Sequence, residues 1–261
     1  MAAKTSMDRR RFLTTALGTG SALLAASQFK IFTGGKLLAQ LVSGKPRWGF
    51  LIDLERCIGC KACSVACKTE FGVPLGGFRS SVKEYESGTF PKVTRSFVPW
   101  LCNHCRNPIC ITECPVDEVE ATFTFPDGST QIYNKRATYQ RPDGVVLIDQ
   151  DRCIGCEACV ELCPYKVRFL NPTKLSEYGD PVAEKCTLCE HRLEKGLVPA
   201  CVNTCQGNAR ISGDLNDSDS EISRLIREKN AKVLMPEMGT EPTCYYIALN
   251  PDAYSKGRDS R

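Results

Sequence analysis

Cys57-Ile58-Gly59-Cys60-Lys61-Ala62-Cys63-Ser64-Val65-Ala66-Cys67 is the stretch that decides the fold, and its pattern occurs twice. Ninety-six residues on, Cys153-Ile154-Gly155-Cys156-Glu157-Ala158-Cys159-Val160-Glu161-Leu162-Cys163 repeats the spacing, and Pro164 follows. The repeat extends upstream, where Ile52-Asp53-x2-Arg56 recurs as Ile148-Asp149-x2-Arg152. A tight loop with three thiolates wraps three corners of one cubane cluster while its N–H groups turn towards the sulfurs. The fourth cysteine opens a helix that leads away, so it reaches a neighbouring cube.

Two more runs keep the initial pair and the final spacing but lengthen the middle: Cys102-x2-Cys105-x4-Cys110-x3-Cys114-Pro115 and Cys186-x2-Cys189-x11-Cys201-x3-Cys205. Their initial pairs lie 84 residues apart. The four motifs use sixteen of the seventeen cysteines and leave Cys244 over. This is the spacing of the bacterial ferredoxin run, met here in an internally duplicated chain. It predicts an α+β, tandem ferredoxin-like fold with long loops and four [4Fe–4S] clusters.

Other uses of cysteine fit less well. Zinc sites made of cysteine alone use paired CxxC knuckles, with no third cysteine two residues on. Covalent haem needs His directly after CxxC; here Arg106 follows Cys105, and Glu190 follows Cys189 with His191 one place late. Disulfides between cysteines three apart in tight loops would be strained. Cys244 reads as a small buried apolar residue. Gly59 and Gly155 are expected to let backbone approach the cubes. Arg56, Lys61, Lys68, Arg152, Lys166, Lys185 and Arg192 crowd the motifs, either to offset cluster charge or as an ordinary solvated surface.

A hydrophobic content of 42% supports a core, and the net charge of +4 sits mainly at the amino terminus. Residues 1–40 hold six basic residues and one acid, so the remainder carries −1. Thiolate-bound clusters add negative charge, and nucleic-acid binding gains no support. Asp8-Arg9-Arg10-Arg11-Phe12-Leu13-Thr14, followed by a diluted apolar run from Ala16 to Ala26, has the order of a twin-arginine export signal. The run is too short to span a bilayer, which takes about 20 apolar residues. Ala25-Ala26 and Leu37-Leu38-Ala39 are both imperfect cleavage positions, so cleavage and retention as an anchor both stay open. The domain reading is a signal and linker over 1–40, a four-cluster region over 48–215 and a helix–strand extension over 216–261.

Short strands are expected at Ile52 and at Val145–Ile148, entering motifs one and three. Residues 122–133 alternate around Pro126-Asp127-Gly128 and predict a β-hairpin, and Arg141-Pro142-Asp143-Gly144 is a second turn. Glu221–Lys229 predicts a helix and Thr243–Leu249 a strand. Trp100 reads as packing. No phosphate-binding glycine loop, dinucleotide fingerprint or nucleophile–base set appears, so no catalytic residue is assigned.

Leu51-Ile52-Asp53-Leu54-Glu55-Arg56-Cys57, Leu101-Cys102-Asn103-His104-Cys105, Lys185-Cys186-Thr187-Leu188-Cys189 and His191-Arg192-Leu193-Glu194-Lys195-Gly196-Leu197 carry a further likeness. With Ser212-Gly213-Asp214-Leu215 and Tyr245-Tyr246, they resemble the iron–sulfur (B) subunits of the molybdopterin oxidoreductases from about Trp48 to Leu249. Those subunits serve tetrathionate, polysulfide, thiosulfate and dimethyl sulfoxide reductases, and the tetrathionate type is the most alike. The region between Pro115 and Ala137 is longer than the family leads one to expect.

The resemblance implies that motif one shares a unit with motif four, and motif two with motif three. Spacing alone leaves sequential pairing equally open. Cluster 1 would then take Cys57, Cys60, Cys63 and Cys205, and cluster 2 Cys102, Cys105, Cys110 and Cys163. Cluster 3 would take Cys114, Cys153, Cys156 and Cys159, and cluster 4 Cys67, Cys186, Cys189 and Cys201. It also implies electron transfer without catalysis, a molybdenum or tungsten catalytic partner and a polytopic quinone-reactive membrane subunit, while the twin-arginine signal implies a periplasmic location. Service to a cytochrome nitrite reductase is the rival within electron carriers, and a zinc-stapled scaffold the rival from another class.

Overall fold

The computed structural model describes residues 45–250. The predicted export segment lies outside them. Strand β1 (Trp48–Asp53) is apolar on both faces, as a covered central strand must be. It pairs antiparallel with β10 (Arg210–Asp214), Trp48 facing Asp214, and parallel with β12 (Cys244–Ile247), Phe50 facing Cys244. The two-residue β11 (Lys232–Val233) completes the sheet in the order β10-β1-β12-β11. The predicted carboxy-terminal helix is α6 (Glu221–Glu228). Its Ser220 cap accepts the Ser223 N–H at 3.2 Å, and Ile222 packs with Leu51 and Ile247.

The other strands form four two-stranded hairpins. They are β2 (Ser80–Thr89) with β3 (Lys92–Leu101), β4 (Val119–Thr124) with β5 (Thr130–Lys135), β6 (Thr138–Gln140) with β7 (Val146–Ile148), and β8 (Phe169–Leu175) with β9 (Pro181–Glu184). The second matches the expected hairpin around Pro126-Asp127-Gly128. The expected turn at 141–144 joins the third, with the Gly144 N–H donating to the Arg141 carbonyl at 2.9 Å.

Among the described residues each remaining α-helix lies within or beside a cysteine motif: α1 (Ala62–Phe71), α2 (Ile109–Thr112), α3 (Ala158–Glu161), α4 (Glu190–Leu193) and α5 (Ala200–Asn203). α1 packs on α5, and α2 packs on α3. Motif one therefore meets motif four, and motif two meets motif three. β1 and β10 agree, because β1 enters motif one and its partner β10 leaves motif four. The main core joins Trp48, Phe50, Trp100 and Tyr246 to Cys63, Cys102, Cys163, Cys186 and Cys201, so the motif cysteines are part of the core. Trp100 donates its Nε1–H to the Tyr165 carbonyl at 2.7 Å, which fixes the ring in that core.

Candidate functional site

The four CxxC knuckles share one backbone feature. The residue before the second cysteine is left-handed in each: Gly59 at φ 69°, His104 at 44°, Gly155 at 74° and Leu188 at 59°. Glycine adopts this freely, whereas any other residue pays about 1–2 kcal/mol. His104 and Leu188 are each only 1% exposed, so packing holds them there. His104 is further pinned because its Nδ1 accepts the Val146 N–H at 3.1 Å. Such turns aim amides at sulfur: the Leu188 N–H reaches Cys186 Sγ at 3.4 Å, and the Ala209 N–H reaches Cys205 Sγ at 3.2 Å. The two glycines also serve a second need. A Cβ at Gly59 would stand 2.4 Å from the Phe97 ring, and one at Gly155 2.6 Å from Asp180 Cβ. The close approach runs to the neighbouring hairpins.

One cavity is lined by Cys57, Cys60, Cys63 and Cys205, with Arg56, Lys61 and Arg210 on its wall. Another is lined by Cys102, Cys105, Cys110 and Cys163, with Asn103 and Arg168. Each draws three thiols from one motif and the last from a distant one. Among the described residues no three Cys, His, Asp or Glu side chains gather closely enough for a single metal ion. Four thiols around one cavity suit a multi-atom cluster, whose iron needs thiolates at separate corners.

The other eight motif cysteines gather less openly. Burial pushes Cys67 and Cys189 each up to about 12, and each also feels Cys201. Burial raises Cys186 well above its ordinary range, with Cys67, Cys102, Cys201 and Cys189 adding to the effect. Cys67, Cys186 and Cys189 thus lie within electrostatic reach of Cys201, and Cys186 also of Cys102. For Cys114 with Cys153, Cys156 and Cys159 the link is helix packing, since α2 just ahead of Cys114 contacts α3, which carries Cys159. Thiols raised this far stay protonated at neutral pH until a metal displaces the proton.

Most of the cations flanking the motifs have protein partners. Lys61 pairs with Glu84 at 3.2 Å, Lys68 caps the carbonyls of Pro74 and Gly77, and Arg192 binds Glu70 and the Val198 carbonyl. Arg152 binds the carbonyls of Lys135 and Asp117, and Lys166 binds Glu161. Lys185 is no surface residue: it is 1% exposed, and its ammonium donates to the carbonyls of Val146 and Cys186. Two arginines that the sequence reading passed over, Arg168 and Arg210, line the thiol cavities instead. The signal was present as Cys163-x4-Arg168 and Cys205-x4-Arg210.

Cys244 lies in β12, 1% exposed, and lines neither cavity. Cys244→Ala is therefore expected to keep its full iron content and to cost about 1 kcal/mol. Iron analysis beside thermal melting checks this, and loss of one quarter of the iron would make Cys244 a ligand.

Residues 93–215 match a 4Fe-4S dicluster domain, and residues 48–69 a 4Fe-4S binding domain. The B subunit of the tetrathionate reductase of Salmonella typhimurium is 43% identical over 217 residues, 81% of this chain and 76% of that protein. The iron-sulfur B subunit of a putative dimethyl sulfoxide reductase of Halobacterium salinarum is 40% identical over 77% of this chain and 78% of its own length. Protein NrfC of Escherichia coli is 34% identical over 92% of this chain and 95% of its own. With motifs, thiol rings and relatives in agreement, the chain belongs to the iron–sulfur (B) subunit family of the molybdopterin reductases, as an electron-transfer subunit with four [4Fe–4S] clusters.

Proposed function

We propose that the chain is a tandem ferredoxin whose four cysteine sets are nested, and that it relays electrons within a periplasmic sulfur-compound reductase of the tetrathionate type. Cluster 1 is held by Cys57, Cys60, Cys63 and Cys205, and cluster 2 by Cys102, Cys105, Cys110 and Cys163. Cluster 3 is held by Cys114, Cys153, Cys156 and Cys159, and cluster 4 by Cys67, Cys186, Cys189 and Cys201. The two four-thiol cavities and the α1–α5 and α2–α3 contacts support this nesting. Each bound cluster supplies a one-electron couple.

The arrangement of the thiol sets carries the relay reading. Cys201 of set four lies within electrostatic reach of Cys63 of set one, and Cys186 of set four within reach of Cys102 of set two. Arg168 neighbours Cys110 of set two and Cys159 of set three. Cys63, Cys102, Cys163, Cys186 and Cys201, from sets one, two and four, also share one core. Of the seventeen cysteines only Cys60 and Cys156 are exposed, and they belong to sets one and three. A protein built to pass electrons between partners needs closely spaced sites and reachable ones at its surface.

The partners we assign are a catalytic subunit with molybdenum or tungsten and a polytopic quinone-reactive membrane subunit. The family membership and the Salmonella relative's name support the first, and Arg9-Arg10-Arg11-Phe12-Leu13 supports export. Among the described residues no helix is long and apolar enough to cross a membrane; we assign membrane association to the partner. Anaerobic affinity purification from gently solubilised membranes tests the assembly. It is expected to recover a molybdenum- or tungsten-bearing subunit and a polytopic one. Changing Arg9, Arg10 and Arg11 together to Lys is expected to leave the cluster-loaded chain in the cytoplasm. Recovery with a multihaem cytochrome would favour the nitrite-reductase rival, and normal export of the triple variant would contradict the signal.

A further inference from the structure

Arg168 and Arg210 hold equivalent places in the two halves of the molecule. Each stands five residues past the last cysteine of its motif, Cys163 or Cys205. They are 5% and 2% exposed, and a guanidinium so deeply buried normally needs a carboxylate beside it. Two other buried arginines follow that rule. Arg79 pairs with Glu184 at 2.6 Å, and Arg141 pairs with Asp143 at 2.5 Å and Glu194 at 2.6 Å.

Among the described residues Arg168 and Arg210 have no acidic partner. Arg168 donates Nη1–H to Thr138 Oγ1 at 3.3 Å and Nη2–H to Cys110 Sγ at 2.8 Å. Arg210 donates Nη2–H to Ser80 Oγ at 2.9 Å, and its Nη1 has no partner. What surrounds them is cysteine. Arg210 lies among Cys57, Cys63, Cys67 and Cys201, drawn from sets one and four. Arg168 lies among Cys102, Cys110, Cys159 and Cys163, drawn from sets two and three.

We propose that Arg168 and Arg210 are the resident counter-cations of the two ferredoxin units, each placed between the two cubes of its unit and raising the reduction potential of both. This rests on the nested ligand sets. Reduction adds one negative charge to a cube, and a fixed positive charge in a water-poor interior favours that state. Arginine suits the task because its guanidinium is always charged and offers five donors in a fixed fork. Of the seven flanking cations noted in the sequence, five are held by carboxylates or carbonyls; Arg56 on the set-one cavity wall and buried Lys185 near Cys102 and Cys186 add to the charge that these two arginines supply. They act as positioning and tuning residues and ligate nothing.

Potentiometric titration followed by electron paramagnetic resonance tests the proposal on cluster-loaded protein. The set comprises wild type, Arg210→Gln, Arg168→Gln and the corresponding Lys variants, with iron and sulfide determined for each. Arg210→Gln is expected to lower two of the four potentials, each by at least tenfold in the redox equilibrium, about 59 mV for a one-electron couple. Arg168→Gln is expected to lower the other two, and Lys at either site to restore most of the shift. Unchanged potentials in fully loaded Gln variants would overturn the proposal. So would Lys variants that behave like Gln, or cluster loss in both Gln and Lys forms, because either result assigns the arginines to packing. If each arginine moves two potentials but the pairs differ from those that cysteine variants identify, the counter-cations stand and the nested ligand sets fall.

Discussion

Cys67→Ser is expected to damage the same cube as Cys189→Ser, although 122 residues separate the two positions. Cys67 lies near the middle of α1, 6% exposed, where that helix packs on α5 and its Cys201. The Cys57, Cys60 and Cys63 thiols line a cavity that Cys67 does not share. A serine oxygen is a harder and poorer iron ligand than thiolate, so the affected cube shifts its potential or loses an iron. Cys163→Ser is likewise expected to match Cys105→Ser, since both thiols line one cavity. Redox titration by electron paramagnetic resonance reads this directly. A match between Cys67→Ser and Cys105→Ser would instead pair the motifs in sequential order, and every ligand set would have to be redrawn.

Stripping the iron is expected to unfold the chain cooperatively. Motif cysteines sit in the main core with Trp48, Phe50 and Tyr246, so removing clusters opens holes at its centre. The apoprotein would also bury Arg168 and Arg210 without counter-charge, and an uncompensated buried charge costs about 3–5 kcal/mol. That penalty approaches the whole stability of a typical domain, about 5–15 kcal/mol. What folded apoprotein survives should weaken at alkaline pH, by a sign that can be worked out. Burial holds Cys67, Cys105 and Cys189 each up to about 12 in the folded chain, whereas an unfolded thiol titrates near about 8.5. The folded state therefore keeps protons that the unfolded state releases, and stability falls as pH rises from about 8.5 towards 12. Near-ultraviolet circular dichroism and hydrodynamic radius before and after anaerobic chelation check the collapse. An unchanged melt would mean the metals are dispensable to the fold.

The parts of the fold legible in the sequence were those with local causes. Pro126-Asp127-Gly128 set one hairpin and Arg141-Pro142-Asp143-Gly144 another, and Ser220 starts α6 as a capping serine should. The long β2–β3 hairpin was not legible. Ser80–Thr89 carries charged and small residues on a half-exposed ribbon, with no strong alternation, and its inner end is fixed by contact with β3. The β8–β9 hairpin is irregular at Asn171–Leu175 and carries little periodicity for the same reason. At the site, cysteine spacing singled out sixteen thiols, and the structure gathers eight of them around two cavities. Spacing left the pairing of motifs open, because it does not encode helix-on-helix contact. Buried cations were least legible. Lys185 looked like any surface lysine, and Arg168 and Arg210 gained meaning only when the fold surrounded them with thiols.

The central claim is that sixteen cysteines hold four cubes, and chemical analysis of anaerobically purified protein tests it most directly. Iron and acid-labile sulfide are expected at about sixteen of each per chain, four for each ferredoxin-type set of four cysteines. The protein should be brown, with a broad visible absorbance that bleaches on reduction. Stoichiometric zinc with negligible sulfide would contradict the account.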